Sequence, residues 1–321
     1  MQYSPPWWLK NGHIQSIYPS LFRQLDDSFL ERIRLATPDD DFLDIDVGKQ
    51  GNDRVVIVSH GLEGNSRRPY CLGMMKAALN HSWDVVAWNF RSCSGEPNNK
   101  LASYHSGQTQ DLAQVVNWAV EQGYREISLV GFSIGGNKTL LYLGSDSIVK
   151  PRQIIGAVVF SVPVDLRSSA YHLAKAKNKV YMKNFLVSFK EKLGIKSKLY
   201  PGQIDIDLFK SVKNFLHLDE LFTAPMNGFS SAEEYWRESS SRFKLPGISV
   251  PTLLVSAQDD PFLTPECFPR DIVAANSYLS LETPKYGGHV GFMSVNKENR
   301  YWSESRALAF FNKHSRAAEK R

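Results

Sequence analysis

The chain has 321 residues and a mass of 36.3 kDa; 42% of its residues are hydrophobic, 12% aromatic and 22% charged. This balance excludes disordered, collagen-like and coiled-coil proteins, and it provides a sizeable core for one large domain or for a domain with an insertion. The net charge of +5 comes from one segment, because residues 175–198 contain eight lysines and a single acid, Glu191, whereas the rest of the chain sums to −2.

The first half of the sequence alternates between strand and helix patterns. Two short alternating runs, 29–35 and 42–47, predict an antiparallel hairpin. Apolar runs typical of strands buried on both faces follow at 54–59, 83–90, 126–130 and 153–160, and helix-period segments separate them at 71–79, 106–122 and 134–143. Such alternation indicates a mostly parallel sheet covered by helices on both faces.

The alternation stops between residues 165 and 245, where the sequence has helical periods and no buried strand. This stretch is too long for a structureless loop in a compact domain, so we predict an inserted helical cap. The lysine-rich residues 175–198 within it predict an amphipathic helix with a lysine-rich outer face. The apolar stripe of that helix consists of Met182, Phe185, Leu186, Phe189 and Leu193. A solvated face is the ordinary interpretation, and weak association with an anionic membrane surface is the alternative.

The strand and helix pattern then resumes. Predicted strands and helices lie at 252–256, 265–275, 278–282 and 299–314. We therefore predict an α/β fold with a mostly parallel central sheet. Residues 1–164 and 246–321 form its core, and residues 165–245 form the inserted cap.

The sequence Gly131-Phe132-Ser133-Ile134-Gly135 lies directly between an apolar strand and a helix. In that setting a G-x-S-x-G string predicts a nucleophile elbow, a strained turn that projects the serine Oγ at a helix N-terminus. Glycines two residues before and after the serine let neighbouring backbone approach. The alternative is a glycine-rich turn whose serine only caps the helix. A phosphate loop is excluded, because Asn137 shifts the following lysine by ~100° around the helix.

A serine hydroxyl needs a base to become a nucleophile at neutral pH. Of the eight histidines, His289 lies in a glycine-flanked loop, 286–292, after the last predicted strand and before the terminal helix. This position gives the chain order serine, acid, histidine. We interpret His60 as a loop-shaping residue and His105 as a residue that caps a helix or lines the cleft. The others have no motif around them.

Two adjacent carboxylates, Asp259 and Asp260, follow the strand 252–256 and are candidates for the acid that orients the histidine. Pro261 stiffens the turn directly after Asp260, so we select Asp260 and keep Asp259 as the alternative.

Acyl transfer also needs backbone donors for the oxyanion. One predicted donor is the N–H of Ile134, the residue after the serine. The second is the N–H of Leu62, in the glycine-containing turn 60–64 (HGLEG) after the strand 54–59.

Neither a metal nor a cofactor is predicted, since the sequence has no HExxH motif and no paired cysteines. The three cysteines, Cys71, Cys93 and Cys267, cannot all pair. No apolar run approaches the ~18–20 residues of a membrane span, and the N-terminus does not have the pattern of a secretory signal. We expect a cytoplasmic protein.

Seven segments spread over nearly the whole chain carry a more specific pattern. They are NGHIQSIYPSLF at 11–22, HGLEG at 60–64, NFRSCSGEPN at 89–98, YHSGQTQDL at 104–112, GFSIGGN at 131–137, QDDPF at 258–262 and GGHVGF at 287–292. Together they resemble the YheT-like branch of the α/β-hydrolase superfamily, which includes animal membrane-associated lipases of the ABHD type. The resemblance implies an α/β-hydrolase fold and a serine hydrolase of carboxylic esters, with Ser133, Asp260 and His289 as a triad and no cofactor.

The residues and the resemblance together predict two-step acyl transfer to water through an acyl-enzyme on Ser133. The expected partner is a small-molecule ester substrate, either an acyl lipid or a short-chain ester. No nucleic-acid partner is expected, because base-reading and stacking motifs are missing from the sequence. The same residues would serve a thioesterase or an amidase, and a non-catalytic ligand-binding member of the fold is a further alternative.

Overall fold

The computed structural model describes residues 2–315 and is built around a central eight-stranded sheet. The strands are β1 (Glu31–Ala36), β2 (Phe42–Gly48), β3 (Arg54–Ser59), β4 (Asp84–Trp88), β5 (Glu126–Phe132), β6 (Ile154–Phe160), β7 (Thr252–Val255) and β8 (Leu279–Glu282). Their spatial order is β1-β2-β4-β3-β5-β6-β7-β8. β2 pairs antiparallel with both β1 and β4, and every pair from β4 to β8 is parallel.

Helices cover both faces of the sheet. They are α1 (Gly12–Phe22), α2 (Pro69–Leu79), α3 (Gln110–Glu121), α4 (Ile134–Gly144), α5 (Leu166–Leu173), α6 (Lys179–Leu199), α7 (Phe215–Leu218), α8 (Ala224–Met226), α9 (Ala232–Ser239), α10 (Arg270–Ala274) and α11 (Trp302–His314). Short 3₁₀ segments include Trp7–Leu9 and Ile206–Ser211, and a π-helical turn spans Asp219–Thr223. No helix within residues 2–315 is both long and apolar enough to cross a membrane.

The parallel strands are buried on both faces because their side chains alternate between two apolar clusters. Val55 and Ile57 of β3 pack in one cluster with residues of α3 and α4. Val56 and Val58 pack in the other with residues of α2 and α11. The continuous β-branched run of β3 therefore reflects burial on both sides of the sheet.

The predicted α/β fold is confirmed, including the hairpin and every predicted strand. The segment between β6 and β7 contains helices and no strand. The division into a core and an inserted cap of residues 165–245 stays a prediction. α3 starts at Gln110, four residues later than predicted. Helix α1 was not predicted. Its first turn is capped by Asn11, which accepts hydrogen bonds from the N–H groups of His13 and Ile14.

The lysine-rich outer face of α6 is only partly as predicted. Met182 and Leu193 are buried, and most lysines of the segment are exposed. Lys196, however, is buried, with its Nζ donating to the carbonyl oxygens of Asn98 and Lys100. Lys192 also points inward, where its Nζ lies 3.0 Å from the Glu63 carboxylate. Both lysines satisfy polar groups of distant loops, which apolar periodicity within one helix cannot reveal.

The packing of α4 against the end of β3 gives a stability prediction. A Cβ at Gly135 would lie well inside van der Waals contact of the Ser59 and His60 carbonyl oxygens, which are backbone atoms that cannot move aside. We expect Gly135→Ala to lower the free energy of unfolding by about 3 kcal/mol. Urea denaturation measures this change.

Gly194→Ala is the matched control, because Gly194 lies within α6 and a Cβ there meets open space. This change should raise the free energy of unfolding by about 0.5–1 kcal/mol, since alanine has the higher helix propensity. Equal urea midpoints for Gly135→Ala and the unmodified protein would contradict the packing argument.

Candidate active site

Ser133 lies on a strained turn between β5 and α4. Its φ of +52° and ψ of −119° are unfavourable for a residue with a side chain. The turn is possible because Gly131 and Gly135 have no side chain. A Cβ at Gly131 would collide with the backbone of Gly135 and Gly136, and a Cβ at Gly135 would collide with the backbone at the end of β3. The Ser133 side chain is therefore held at the carboxyl edge of the parallel strands, at the N-terminus of α4.

His289 brings its imidazole to this serine. The Nε2 atom lies 2.9 Å from Ser133 Oγ. The Nδ1 atom lies 2.9 and 3.1 Å from the two carboxylate oxygens of Asp260. Because Nδ1 faces a carboxylate, it carries the ring proton, which leaves Nε2 free to accept the serine proton. The Phe262 ring stacks on the imidazole with centroids 4.0 Å apart and fixes the plane of the ring.

The two candidate acids have different partners. Asp260 contacts the imidazole, and its Oδ1 also accepts a hydrogen bond of 2.8 Å from the N–H of Phe262. Asp259 accepts a hydrogen bond of 2.9 Å from the N–H of Gly288, so it holds the backbone of the histidine loop. Burial raises the pKa of Asp259. The structure thus joins Ser133, His289 and Asp260 by hydrogen bonds and leaves Asp259 as a support of the loop.

Helix α1 supports the histidine loop from the other side, a role that the sequence analysis missed. Ser16 Oγ accepts a hydrogen bond of 2.8 Å from the N–H of His289. A Cβ at Gly12 would collide with the carbonyl oxygen of Asp259, so α1 packs directly on the two-aspartate turn. The signal in the sequence is Asn11, a good N-cap residue placed before an apolar pattern of helical period. Pro19 within the helix obscures that signal.

The predicted oxyanion donors, Leu62 and Ile134, both line the cavity into which Ser133 opens. Within residues 2–315 neither backbone N–H donates to a protein acceptor. A Cβ at Gly61 would lie 3.3 Å from the Ser133 Cβ, which shows how closely the turn 60–64 approaches the serine. Two amides without acceptors beside a serine hydroxyl are suited to bind an anionic oxygen.

Glu63 ties this turn to helix α6. Its side chain is 4% exposed, and its backbone has a φ of +54°. The carboxylate accepts hydrogen bonds from the Tyr104 hydroxyl at 2.7 Å and from Lys192 Nζ at 3.0 Å, and a third from the Ser188 hydroxyl. The Tyr104 hydroxyl also accepts from the Glu63 N–H at 3.0 Å. The residue after Leu62 is thereby fixed through both its backbone and its side chain.

A cavity of about 590 Å³ extends from Ser133 and His289 between the sheet edge and the helices that lie between β6 and β7. Its wall is mostly apolar; residues from these helices include Leu173, Phe185, Phe189, Phe215, Leu218, Phe222, Met226 and Trp236. Two acids line it: Glu63, whose carboxylate is held by Tyr104, Ser188 and Lys192, and Asp219 in the π-helical turn. Asp219 accepts a hydrogen bond of 2.7 Å from Trp236 Nε1. Burial raises the pKa of Asp219 to about 7. The cavity therefore suits an apolar group attached to a reacting carbonyl.

The remaining histidines near the site are structural. His60 accepts a hydrogen bond of 3.0 Å at Nε2 from the N–H of Phe90 and donates from Nδ1 to the Gly61 carbonyl at 2.7 Å. Burial lowers its pKa to about 3, so it stays neutral. His105 lines the cavity, and burial lowers its pKa to about 3 as well. The buried Lys138 donates to the carbonyl oxygens of His105 and Gln108 and fixes that loop.

The residues present do not form a metal centre in the described part of the chain, where no group of three or more His, Cys, Asp or Glu side chains could hold an ion. The chemistry available at the site is that of a hydroxyl, an imidazole, a carboxylate and two backbone amides.

Comparison with known proteins gives a consistent result. A family model described as alpha/beta hydrolase fold matches residues 54–293. The chain is 33% identical over 313 residues to the protein named "Putative esterase YheT" from Escherichia coli (strain K12), covering 95% of this chain and 91% of that protein. It is 29% identical to the monoacylglycerol lipase of Saccharomyces cerevisiae over 85% of this chain, a match that spans only 61% of that lipase.

Solved structures agree on the fold. The Pyrococcus furiosus esterase Pf2001 superposes with a TM-score of 0.61 at 17% identity, covering 98% of this chain and 97% of that one. At this identity the likeness concerns the fold.

Proposed function

Because the chain belongs to the alpha/beta hydrolase fold family, we propose that it is a serine hydrolase of carboxylic esters, with Ser133, His289 and Asp260 as its catalytic triad. The observation that carries this proposal is the chain of hydrogen bonds from Ser133 Oγ to His289 Nε2 and from His289 Nδ1 to Asp260. The names of relatives, an esterase, a monoacylglycerol lipase and a phospholipase, favour ester substrates over amides.

In the first step His289 accepts the proton of Ser133 as Oγ attacks the ester carbonyl carbon. The imidazolium that forms is stabilised by Asp260, which is buried against Nδ1 and does not take the proton itself. His289 then donates its proton to the leaving alcohol, and the acyl group remains on Ser133.

The carbonyl oxygen becomes negative during this attack. We assign its stabilisation to the N–H groups of Leu62 and Ile134, which have no acceptor of their own in the described chain. The positive end of the α4 dipole acts on the same oxygen, because Ile134 is the first residue of that helix.

In the second step His289 activates a water molecule that attacks the acyl-enzyme, and the acid product leaves. The acyl chain occupies the apolar cavity, of which the predicted cap, residues 165–245, supplies a large part of the wall.

The triad assignment predicts a pattern of reactivity. Ser133→Ala should abolish labelling by a fluorophosphonate probe. Ser133→Ala and His289→Ala should each lower the turnover of p-nitrophenyl butyrate by roughly 10⁴-fold or more, because triad members act as a unit. Asp260→Asn should cost less than either change.

The matched control is Asp259→Asn. Its amide oxygen can still accept the hydrogen bond of Gly288, so turnover should fall only mildly. Undiminished labelling of Ser133→Ala would favour a non-catalytic, ligand-binding protein. A larger loss for Asp259→Asn than for Asp260→Asn would mean that Asp259 is the acid.

Glu63 is predicted to position the Leu62 amide. Glu63→Gln removes the charge that holds Lys192 and weakens the anchor of the turn on α6. We expect kcat to fall roughly tenfold with a smaller change in KM, because a displaced oxyanion donor acts on the transition state.

Glu233→Gln is the control for this change, since Glu233 is a half-exposed carboxylate of the same inserted segment, paired with Arg167 at the surface. It should leave kcat unaltered. A wild-type kcat in Glu63→Gln would show that Glu63 does not position the Leu62 amide.

The apolar cavity predicts a dependence on acyl length. The kcat/KM for p-nitrophenyl esters should rise from acetate to octanoate, by up to about fourfold for each CH₂ group buried. Phe222 lines the cavity, so Phe222→Trp should reduce the space for the acyl chain. This change should abolish the rise in kcat/KM with acyl length while acetate turnover stays unchanged. The control is Phe243→Trp at an exposed position. A profile that falls steadily beyond acetate would contradict the assignment of the cavity to the acyl chain.

A further inference from the structure

The N-terminal part of the chain exposes a group of large apolar side chains, which we call the N-terminal patch. It consists of Trp7 (82% exposed), Trp8 (43%), Ile14 (42%), Tyr18 (40%), Leu21 (65%) and Phe22 (63%). The last four lie on one face of α1, at spacings of four, seven and eight residues from Ile14. Large apolar side chains clustered in this way on a protein surface mark a site of interaction.

Ring contacts join Trp8, Tyr18 and Phe22 within the patch. The Trp8 and Tyr18 centroids lie 6.5 Å apart, and the Tyr18 and Phe22 centroids lie 4.8 Å apart. The side chains are thus ordered against one another while their outer faces remain open.

The patch borders the mouth of the catalytic cavity. Leu21 both lines the cavity and is 65% exposed, which places it at the rim. Val180 of α6 has the same two properties, with 65% exposure. The two helices are in direct contact, since His13 Nδ1 lies 3.0 Å from the Tyr181 hydroxyl. The mouth therefore lies between α1 and the N-terminal half of α6.

The start of α6 and the short segment before it supply positive charge next to the apolar surface. Lys175, Lys177, Lys179 and Lys183 are exposed, and of all lysines in 175–198 only Lys192 forms a salt bridge within the described chain. Glu191 is the one acid of this stretch. The charges remain available to an external anion.

We propose that the N-terminal patch and the lysines of α6 dock the protein on an anionic lipid surface, with the cavity mouth facing the lipid. Tryptophan and tyrosine side chains favour the membrane interface, and lysines are attracted to anionic headgroups. A second copy of the chain is a poor occupant, because a symmetric contact would bring the two lysine clusters together.

Vesicle flotation tests this proposal without requiring hydrolysis. The protein carries Ser133→Ala, so that lipid is not consumed, and the vesicles are phosphatidylcholine alone or an equal mixture with phosphatidylglycerol. We expect flotation with the mixed vesicles that weakens as salt is raised, because salt screens exposed charges. Binding that is independent of salt and of phosphatidylglycerol would overturn the role of the lysines.

Two double variants separate the contributions. Trp7→Ser with Phe22→Ser should weaken binding to mixed vesicles roughly tenfold or more through lost insertion. Lys179→Glu with Lys183→Glu should weaken it by at least about tenfold at low salt. None of these four residues is among those that line the cavity. In the active protein both variants should keep wild-type turnover of soluble p-nitrophenyl acetate, which separates a docking defect from loss of the fold or of the proposed activity.

Matched controls lie at the opposite, amino-terminal edge of the parallel strands. Val149 is 94% exposed before β6, and Lys49 is exposed after β2. Val149→Ser and Lys49→Glu should bind vesicles as the parent does. Equal binding by all variants, or a dimer in vesicle-free solution that Trp7→Ser with Phe22→Ser dissociates, would overturn the proposal.

Discussion

The site depends on one constraint, the close approach of backbone around Ser133. The serine has a positive φ, which is a strained conformation. The strain persists because β5 is buried along its length, and because Gly131 of β5 and Gly135 of α4 have no side chains to separate the helix from the strands. Only this packing lets α4 start directly beside the end of β3, where the turn 60–64 supplies Leu62. The carboxyl edge of a parallel sheet then collects the loops after β7 and β8, which carry Asp260 and His289.

Around this constraint the histidine is held from two directions. On one side Asp259 and Ser16 bind the backbone of its loop. On the other side Phe262 stacks on the imidazole, and Tyr181 of α6 packs edge-on against Phe262 with centroids 4.7 Å apart. Helix α6 therefore contacts both halves of the site, through Tyr181 on the histidine side and through Lys192 with Glu63 on the side of the turn 60–64. The helices between β6 and β7 therefore support the sheet edge that holds Ser133 and His289, and they also form part of the cavity wall.

The sequence predicted the sheet well because its parallel strands are buried on both faces and stand out as uninterrupted apolar runs. It also indicated Ser133 and His289, since glycine-flanked turns at strand ends are local features. Other features depend on contacts between distant segments. Asp259 and Asp260 are adjacent and chemically alike, and only the direction of each side chain separates an imidazole partner from a loop support. The inward turn of Lys192 and Lys196 and the support from α1 arise from tertiary contacts that leave no periodic signal.

A crystal structure of the protein inactivated by an alkyl phosphonate tests the central claim most directly, because the adduct mimics the tetrahedral intermediate. We expect phosphorus bonded to Ser133 Oγ, the phosphoryl oxygen within hydrogen-bond distance of the Leu62 and Ile134 amides, and the alkyl chain in the apolar cavity. Phosphorus on a different side chain, or a phosphoryl oxygen turned away from both amides, would contradict that claim.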